Sequence, residues 1–480
     1  MRLDRFGETR ILPFLPSVRS FGLALALVVL VIGILSPPPA GMTQEIQLVL
    51  TVFFFALVLW LTKAIPYTLS SVLSVVLLFT LELTDTFEEA AIGYASSLFF
   101  FLFVLLLLGN AISKVELDDR VAKGLLSSQS TPRRTIRSLA SNLLILSFFM
   151  PSAMARTVTF IPVVRRLTTV YGLDQNSNFT RSSFILLGHV NPIASMALMT
   201  GGGMAIITSE IINSTVRAVT WVEWGILMIP PTLVLYGLAA ISAGLIYGVN
   251  DTVTVEESAD EGGLGADVDE EPPPLTRDQR IVAVVMLGAI LGWVIGSFIG
   301  LPTIVPAIGA GVILAMPGID IITTEDIRDV SWGVLFLIGA MFSILSVMET
   351  SGTLGYVVDG ITQYIAFSSL PTWQAVTILL ILAVCIRVFF STASAAIVIV
   401  LPIILEFGEI SGANSLYLAL SVLILIGSTT FLPFNTSAVL ISFDRGPLTN
   451  REVFGFGFVT MCLAAVIISL SWFLYWPLVT

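Results

Sequence analysis

Apolar runs bounded by charges or prolines recur along most of this chain, at 21–36, 46–62, 66–82, 93–113, 181–208, 221–248, 280–300, 302–317, 331–349, 416–442 and 453–476. A helix needs roughly 20 residues to cross a bilayer, so these runs predict about 11 transmembrane helices. Two more apolar stretches, 138–170 and 371–407, carry polar interruptions. The first reads Pro151-Ser152-Ala153-Met154-Ala155-Arg156-Thr157 and leads to Pro162; the second reads Ser391-Thr392-Ala393-Ser394-Ala395-Ala396 and leads to Pro402. Pro162 and Pro402 stand half of the 480-residue chain apart. Lipid cannot satisfy exposed N–H and C=O groups, so irregular, hydroxyl-rich backbone at membrane depth must line a protein cavity. Two such breaks at matching places in two halves point to the binding site of a transporter.

Charge placement indicates how the interrupted stretches lie. Arg133, Arg134 and Arg137 precede the first, and Arg165 and Arg166 follow near its end, which puts both ends in the cytoplasm by the positive-inside rule. The second is bracketed by Glu349 and Asp359 on one side and Glu406 and Glu409 on the other, with no Lys or Arg in 350–371 or 403–443, which puts both ends outside. Two re-entrant hairpins, entering from opposite faces, satisfy this pattern; a proline-kinked spanning helix is the competing reading for each. With hairpins, the N-terminus is cytoplasmic and the C-terminus external, and Arg217 is left as the one basic residue of an external loop.

The halves also echo each other elsewhere. Leu105-Leu106-Leu107-Leu108-Gly109 returns as Leu335-Phe336-Leu337-Ile338-Gly339, and Ile185-Leu186-Leu187-Gly188 as Ile424-Leu425-Ile426-Gly427. The expected organisation is therefore an all-α polytopic membrane protein of two inverted repeats. Residues 1–45 form an N-terminal tail and first helix, and 46–248 a first repeat with a cytoplasm-facing hairpin at 138–170. Residues 249–279 form an acidic cytoplasmic linker, and 280–480 a second repeat with an outward-facing hairpin at 371–407. Residues 114–134, with Lys114, Arg120, Lys123, Arg133 and Arg134, suit either a basic amphipathic helix on the cytoplasmic surface or a solvated loop.

Composition supports a multi-pass protein of the cell membrane. Hydrophobic residues make up 56% of the chain and charged residues 11%, against about 25% charged in soluble domains. The net charge of −11 is mostly local, because Asp251, Glu256, Glu257, Asp260, Glu261, Asp267, Asp269, Glu270 and Glu271 stand together with no Lys or Arg among them. No nucleic-acid partner is indicated. Cys385 and Cys462 lie in apolar segments, which argues against a disulfide framework or thiolate metal site. With His189 as the one histidine, a zinc or haem enzyme is disfavoured. Arg2, Arg5, Arg10 and Arg19 before the run at 21–36 read as the anchor of an uncleaved first helix rather than as a signal peptide.

No Asp or Glu falls near the middle of a predicted span, which disfavours proton relays. The interior instead holds Arg156, Arg387, His189, Asn191, Asn435 and many hydroxyls, a cationic lining suited to an anionic substrate. Helix N-termini at the hairpin tips would add N–H donors for an oxyanion. Opposing helix C-termini, with Ser and Thr hydroxyls, would offer oxygens to sodium. Two further segments read as unwound: His189-Val190-Asn191-Pro192 running to Ser195 and Thr200-Gly201-Gly202-Gly203, and Ser428-Thr429-Thr430-Phe431-Leu432-Pro433-Phe434-Asn435-Thr436-Ser437. Arg156, just past the first tip, reads as support for the site. Arg387 serves equally as a ligand or as a lock on a hairpin arm. His189 reads as a hydrogen-bonded core residue.

The two tip motifs, the Pro433-x-x-Thr436 segment and Trp332-Gly333-Val334-Leu335 resemble the divalent-anion/sodium symporter family, carriers of dicarboxylates, citrate and sulfate. The resemblance runs over nearly the whole chain beyond the first helix and implies a homodimer with a scaffold and a moving transport domain, working as an elevator. On that likeness Ser152, Ala153 and Met154 stand at the first tip and Thr392, Ala393 and Ser394 at the second, with Thr200, Gly201, Pro433 and Thr436 on the unwound helices. The substrate would meet Ser152, Met154, Arg156, Thr392, Ser394, Thr200, Pro433 and Thr436, and sodium would meet Ser152, Ala153, Gly201, Ser391, Ala393 and Thr430. Neither tip has the asparagine of the family pattern, and Met154 replaces a hydroxyl. The expected function is sodium-coupled symport of a small anion, a di- or tricarboxylate first of all, with no cofactor, no metal beyond sodium, and no enzymatic activity. Sodium-independent anion exchange, a sulfate or arsenite carrier, and an anion channel remain the alternatives.

Overall fold

The computed structural model describes residues 18–117, 131–148, 150, 152–249, 274–362 and 370–480. Among these residues all regular structure is helical. The helices are α1 Val18–Leu35, α2 Gln44–Thr62, α3 Tyr67–Thr80, α4 Ser97–Lys114, α5 Pro132–Ser147, α6 Ala153–Val170, α7 Asn178–Ile185, α8 Gly203–Thr215 and α9 Trp221–Tyr247. The second half continues with α10 Arg277–Ile299, α11 Ile304–Ala315, α12 Trp332–Thr350, α13 Thr353–Thr362, α14 Thr372–Arg387, α15 Ala393–Ile410, α16 Ser415–Ser428, α17 Ser437–Arg445 and α18 Asn450–Leu470.

Seven helical stretches are long and apolar enough to cross a bilayer: α2, α4, α9, α10, α12, α15 and the run Asn450–Val479 that begins as α18. Shorter apolar helices include α1, α3, α11, α14 and α16. The chain is thus a multi-pass, all-helical membrane protein. Its helix ends follow local chemistry. Thr43 caps α2 by accepting the Ile46 N–H at 3.2 Å, and α2 stops at left-handed Lys63 before Pro66. Thr276 and Gln279 form a reciprocal cap on α10, which ends on left-handed Gly300.

Two of the predicted spans are broken. The 181–208 run divides into α7, a wider π-helical turn at 186–190, a short helix Asn191–Ala194, an irregular stretch and α8. The 416–442 run divides into α16, a 3₁₀ turn at Pro433–Asn435 and α17. Both breaks coincide with the unwound segments read from the sequence. The two interrupted stretches are helix–break–helix elements, α5 to α6 and α14 to α15, and the second arms begin at equivalent positions, Ala153 and Ala393. Among the described residues, α13 and the short helices Phe87–Ala90 and Thr324–Arg328 lie outside the predicted runs. Most of the proposed basic surface helix and all nine linker carboxylates lie outside the described residues.

The chain divides into two compact units, Met1–Ala95 with Trp332–Val357, and Ser96–Ser331 with Val358–Thr480. In the first, Ala26, Phe55 and Leu59 form a small buried core where α1 meets α2. The turn at 92–95 lies on α12: Gly93 donates to Ser343 Oγ at 3.0 Å, and a Cβ there would sit 2.1 Å from the Gly339 carbonyl oxygen. In the second unit the centre is built from sequences apolar on every side. Residues 185–202 and 416–430 are buried throughout. These two central stretches carry the unwound segments.

Candidate functional site

Each helix–break–helix element is organised by the same cap. Ser152 Oγ accepts the Ala155 N–H at 3.2 Å, and Thr392 Oγ1 accepts the Ala395 N–H at 3.2 Å. The first arms end at Ser147 and Arg387, and five residues later a hydroxyl residue with extended backbone starts the second arm. The positive ends of α6 and α15 are thereby set at the breaks.

The sharpest feature of the site is its pair of buried arginines. Arg156, on the first turn of α6, is fully buried. Its Nε donates to Asn191 Oδ1 at 2.7 Å, one terminal nitrogen to the Met150 carbonyl, and the other to Ser195 Oγ at 2.8 Å and the Asn191 carbonyl at 3.3 Å. The Asn191 amide donates in turn to the Ala153 carbonyl at 2.8 Å and to Thr157 Oγ1 at 3.1 Å. Arg387, the last residue of α14, is equally buried. It donates to the carbonyls of Phe390 at 2.8 Å, Asn435 at 2.7 Å and Ile426 at 3.2 Å. The Asn435 amide donates to the Val388 carbonyl at 2.9 Å and the Phe390 carbonyl at 2.8 Å.

So each half ties one break to one broken helix with an arginine and an asparagine. Neither arginine forms an ion pair: among the described residues the pairs are Lys114–Asp326, Arg181–Glu452 and Arg217–Glu223. The guanidinium charges are solvated by neutral amide, carbonyl and hydroxyl dipoles. Such dipoles satisfy hydrogen bonding without cancelling net charge, so the breaks keep a positive potential.

The residues singled out from the sequence fall around this frame. Ser152, Thr392 and Thr436 are helix caps, the last for the Val439 N–H at 3.3 Å. Ala153 gives its carbonyl to Asn191, and Ala393 is buried. Met154 is 48% exposed, its side chain turned away from the packed interior. Thr200 is buried and accepts from Trp221 Nε1 at 3.2 Å. Gly201 is in close backbone contact, since a Cβ would come 2.7 Å from the Ser195 carbonyl oxygen. Ser391 and Ser394 are partly buried, and Ser394 lies against the start of α8, 3.0 Å from where a Gly203 Cβ would be. Pro433 opens the 3₁₀ turn that presents Asn435. Thr430 is buried, with its carbonyl against Gly457. The second break thus meets both broken helices, through Asn435 and through Gly203. His189 is buried with Nε2 3.1 Å from the Val453 carbonyl.

Asn191 and Asn435 were visible in the sequence as interior polar residues but were not assigned to the site. The usable signal was electrostatic: a buried guanidinium in a span free of carboxylates must find amide or carbonyl partners. Two further oxygens matter. Ser428 Oγ and Thr429 Oγ1 are buried in the second unwound segment with no hydrogen-bond partner.

The chain is 23% identical over 497 residues to the L-tartrate/succinate antiporter of Shigella flexneri, covering 97% of this chain and 99% of that one. The L-tartrate/succinate antiporter of Escherichia coli strain K12 matches to the same extent, at 23% identity. A protein described as a membrane protein from Cupriavidus necator is 25% identical over 408 residues, 80% of this chain and 78% of that one. The family model for the sodium:sulfate symporter transmembrane region matches residues 17–480, and the chain therefore belongs to that family of divalent-anion transporters, not to the enzymes.

Proposed function

We propose that this chain is a secondary carrier that exchanges small dicarboxylates across the cell membrane. The observation that carries the reading is the pair of buried arginines, one at each break, that no carboxylate neutralises among the described residues. A dianion entering between the breaks meets this potential together with two helix N-termini. Its contacts would be Ser152, Thr392, Ser394, Thr200, Thr436 and backbone N–H groups, with Met154 as an apolar neighbour and the Pro433 turn as a wall. Arg156 and Arg387 act on it through their field while their donors hold the frame. Exchange is supported by the full-length relatives, named as L-tartrate/succinate antiporters. In this reading the two breaks re-enter from opposite faces and belong to inverted repeats, the N-terminus is cytoplasmic and the C-terminus external. The chain works as a homodimer, by an elevator motion.

Sodium symport is the second reading, favoured by the orphaned Ser428 and Thr429 hydroxyl oxygens beside Thr430. Hydroxyl and carbonyl oxygens fit a hard monovalent cation, and Ser152, Ala153, Gly201, Ser391, Ala393 and Thr430 would complete its sites. Sodium would then be a co-transported ion.

Proteoliposomes separate the two. Uptake of labelled succinate, tartrate, citrate and sulfate is measured with and without internal succinate, and with and without a sodium gradient. Exchange requires uptake that depends on internal dicarboxylate and ignores sodium. Uptake into empty vesicles driven by sodium alone would replace exchange with symport, and large saturation-free currents would replace both with a channel.

A further inference from the structure

The first turn of α9 aims two indole N–H groups at the irregular stretch between the short helix Asn191–Ala194 and α8. Trp224 Nε1 donates to the Met196 carbonyl at 3.3 Å, and Trp221 Nε1 donates to Thr200 Oγ1 at 3.2 Å. Three residues apart on a helix, the two side chains share one face. The bond to Met196 has a structural account: backbone outside a helical ladder must find a partner, and the fully buried Trp224 supplies it.

The bond to Thr200 does something else. Buried hydroxyls on neighbouring α8 give their protons to carbonyls of the preceding turn, Thr208 to Met204 at 2.8 Å and Ser209 to Ile206 at 2.7 Å. Thr200 stands outside a helix, and among the described residues its hydroxyl makes no hydrogen bond besides the one it accepts from Trp221. An indole N–H donates and cannot accept. It therefore fills one lone pair of Thr200 Oγ1 and leaves the hydroxyl proton for an acceptor from elsewhere. Hydrogen bonds in series polarise one another, so the accepted bond strengthens the one donated next. Thr200 is 8% exposed, and three residues later Gly203 opens α8 against Ser394 of the second break.

The indole is itself held. Its ring stacks on Trp293 of α10, with centroids 6.1 Å apart and planes 19° from parallel. Trp293 is buried and donates to the Thr303 carbonyl at 2.8 Å. Beside it the Val222 N–H donates to Ser297 Oγ at 3.1 Å, which ties the start of α9 to α10.

We propose that Trp221 is a positioning residue for recognition of the carried anion: clamped by Trp293, its N–H turns Thr200 into a donor aimed at a substrate carboxylate. This rests on the reading of Thr200 as a substrate contact.

The test is the kinetics of counterflow in proteoliposomes, with succinate first and then tartrate, citrate and sulfate. Trp221→Phe keeps an aromatic ring for Trp293 and removes the N–H. It should raise the KM for succinate about 3- to 10-fold, the range for one hydrogen bond, with the maximal rate within about twofold of wild type. Thr200→Val, which keeps the shape and deletes the hydroxyl, should raise KM at least as far, whereas Thr200→Ser should stay near wild type. In the Thr200→Val background neither Trp221→Phe nor Trp293→Leu should raise KM further. Trp224→Phe removes the companion N–H from a main-chain carbonyl and should lower the melting temperature without moving KM.

An unchanged KM in Trp221→Phe, an additive effect on Thr200→Val, or an equal rise in Trp224→Phe would each overturn the positioning role and leave dicarboxylate exchange standing. Sulfate carried in place of succinate would replace the dicarboxylate reading, and the same KM comparison on sulfate would then decide the role of Trp221. Transport of none of the four anions would remove both.

Discussion

Asn191 both receives and gives at the first break: its Oδ1 accepts from Arg156 Nε at 2.7 Å, and its amide nitrogen donates to the Ala153 carbonyl at 2.8 Å. One side chain therefore closes the circuit between the arginine and the N-terminus of the helix that carries it. Removing Arg156 orphans Asn191 Oδ1 and the Met150 carbonyl, at about 1–3 kcal/mol for each group left unpaired in the interior. Arg156→Ala is expected to lower the melting temperature and to abolish most uptake. Arg156→Lys reaches fewer of the acceptors and should retain only part of both. Asn191→Ala should cost less in the Arg156→Ala background than in wild type, because the two groups share a network. Thermal melts and initial uptake rates on the four-member cycle check this; strict additivity would dismiss the circuit.

Ser394 and Gly203 meet where the second break touches the first broken helix. A methyl on Gly203 would crowd Ser394 Oγ at 3.0 Å, an overpacking cost of about 1–3 kcal/mol if the neighbours cannot yield. Gly203→Ala should reduce the uptake rate, and adding Ser394→Ala, which deletes the obstructing oxygen, should recover part of any loss that comes from crowding. If Ser394 also binds substrate, the double variant keeps a raised KM for succinate. Uptake kinetics on the three variants separate packing from binding.

Gly457 of α18 is pressed on the second unwound segment so closely that a Cβ would fall 1.9 Å from the Thr430 carbonyl oxygen. Backbone cannot swing aside as a side chain can. Gly457→Ala is expected to separate α18 from residues 428–430 and to cut the yield of folded protein, seen as early elution and a lowered melting temperature. Gly455→Ala, with open space around its Cβ position, should be neutral and serves as the control.

The re-entrant reading makes a labelling prediction. Both native cysteines, Cys385 and Cys462, are exposed and must first be replaced. In that background Arg134→Cys and Arg166→Cys should react with impermeant maleimide from the same side, and Gln374→Cys and Glu409→Cys from the other. Opposite reactivity of positions 134 and 166 would turn the first element into a kinked spanning helix.

Much of this frame is legible in the sequence because it depends on local rules. Ser152 and Thr392 announce their caps, Pro162 and Pro402 mark the second arms, and the unwound segments follow from Asn191-Pro192, the glycine run and Pro433. What is not legible depends on how distant pieces approach. The four hydrogen bonds of Arg156 go to groups that include residues 35 and 39 positions away, which no local periodicity reports. The grouping of α12 with the first 95 residues is likewise a matter of tertiary packing, and α13, at 10 residues, is too short to read as a span.

The acceptors that hold Arg387 are all main-chain carbonyls, at Phe390, Ile426 and Asn435. Every amino acid supplies the same carbonyl, so the scaffolding around this arginine is indifferent to which side chains occupy those positions. Neighbouring residues such as Ser391, Thr392 and Ser394 can then drift in identity while the guanidinium stays fixed. Lineages could in this way acquire new cargo preferences by exchanging tip side chains, with no need to rebuild the charged anchor beneath them.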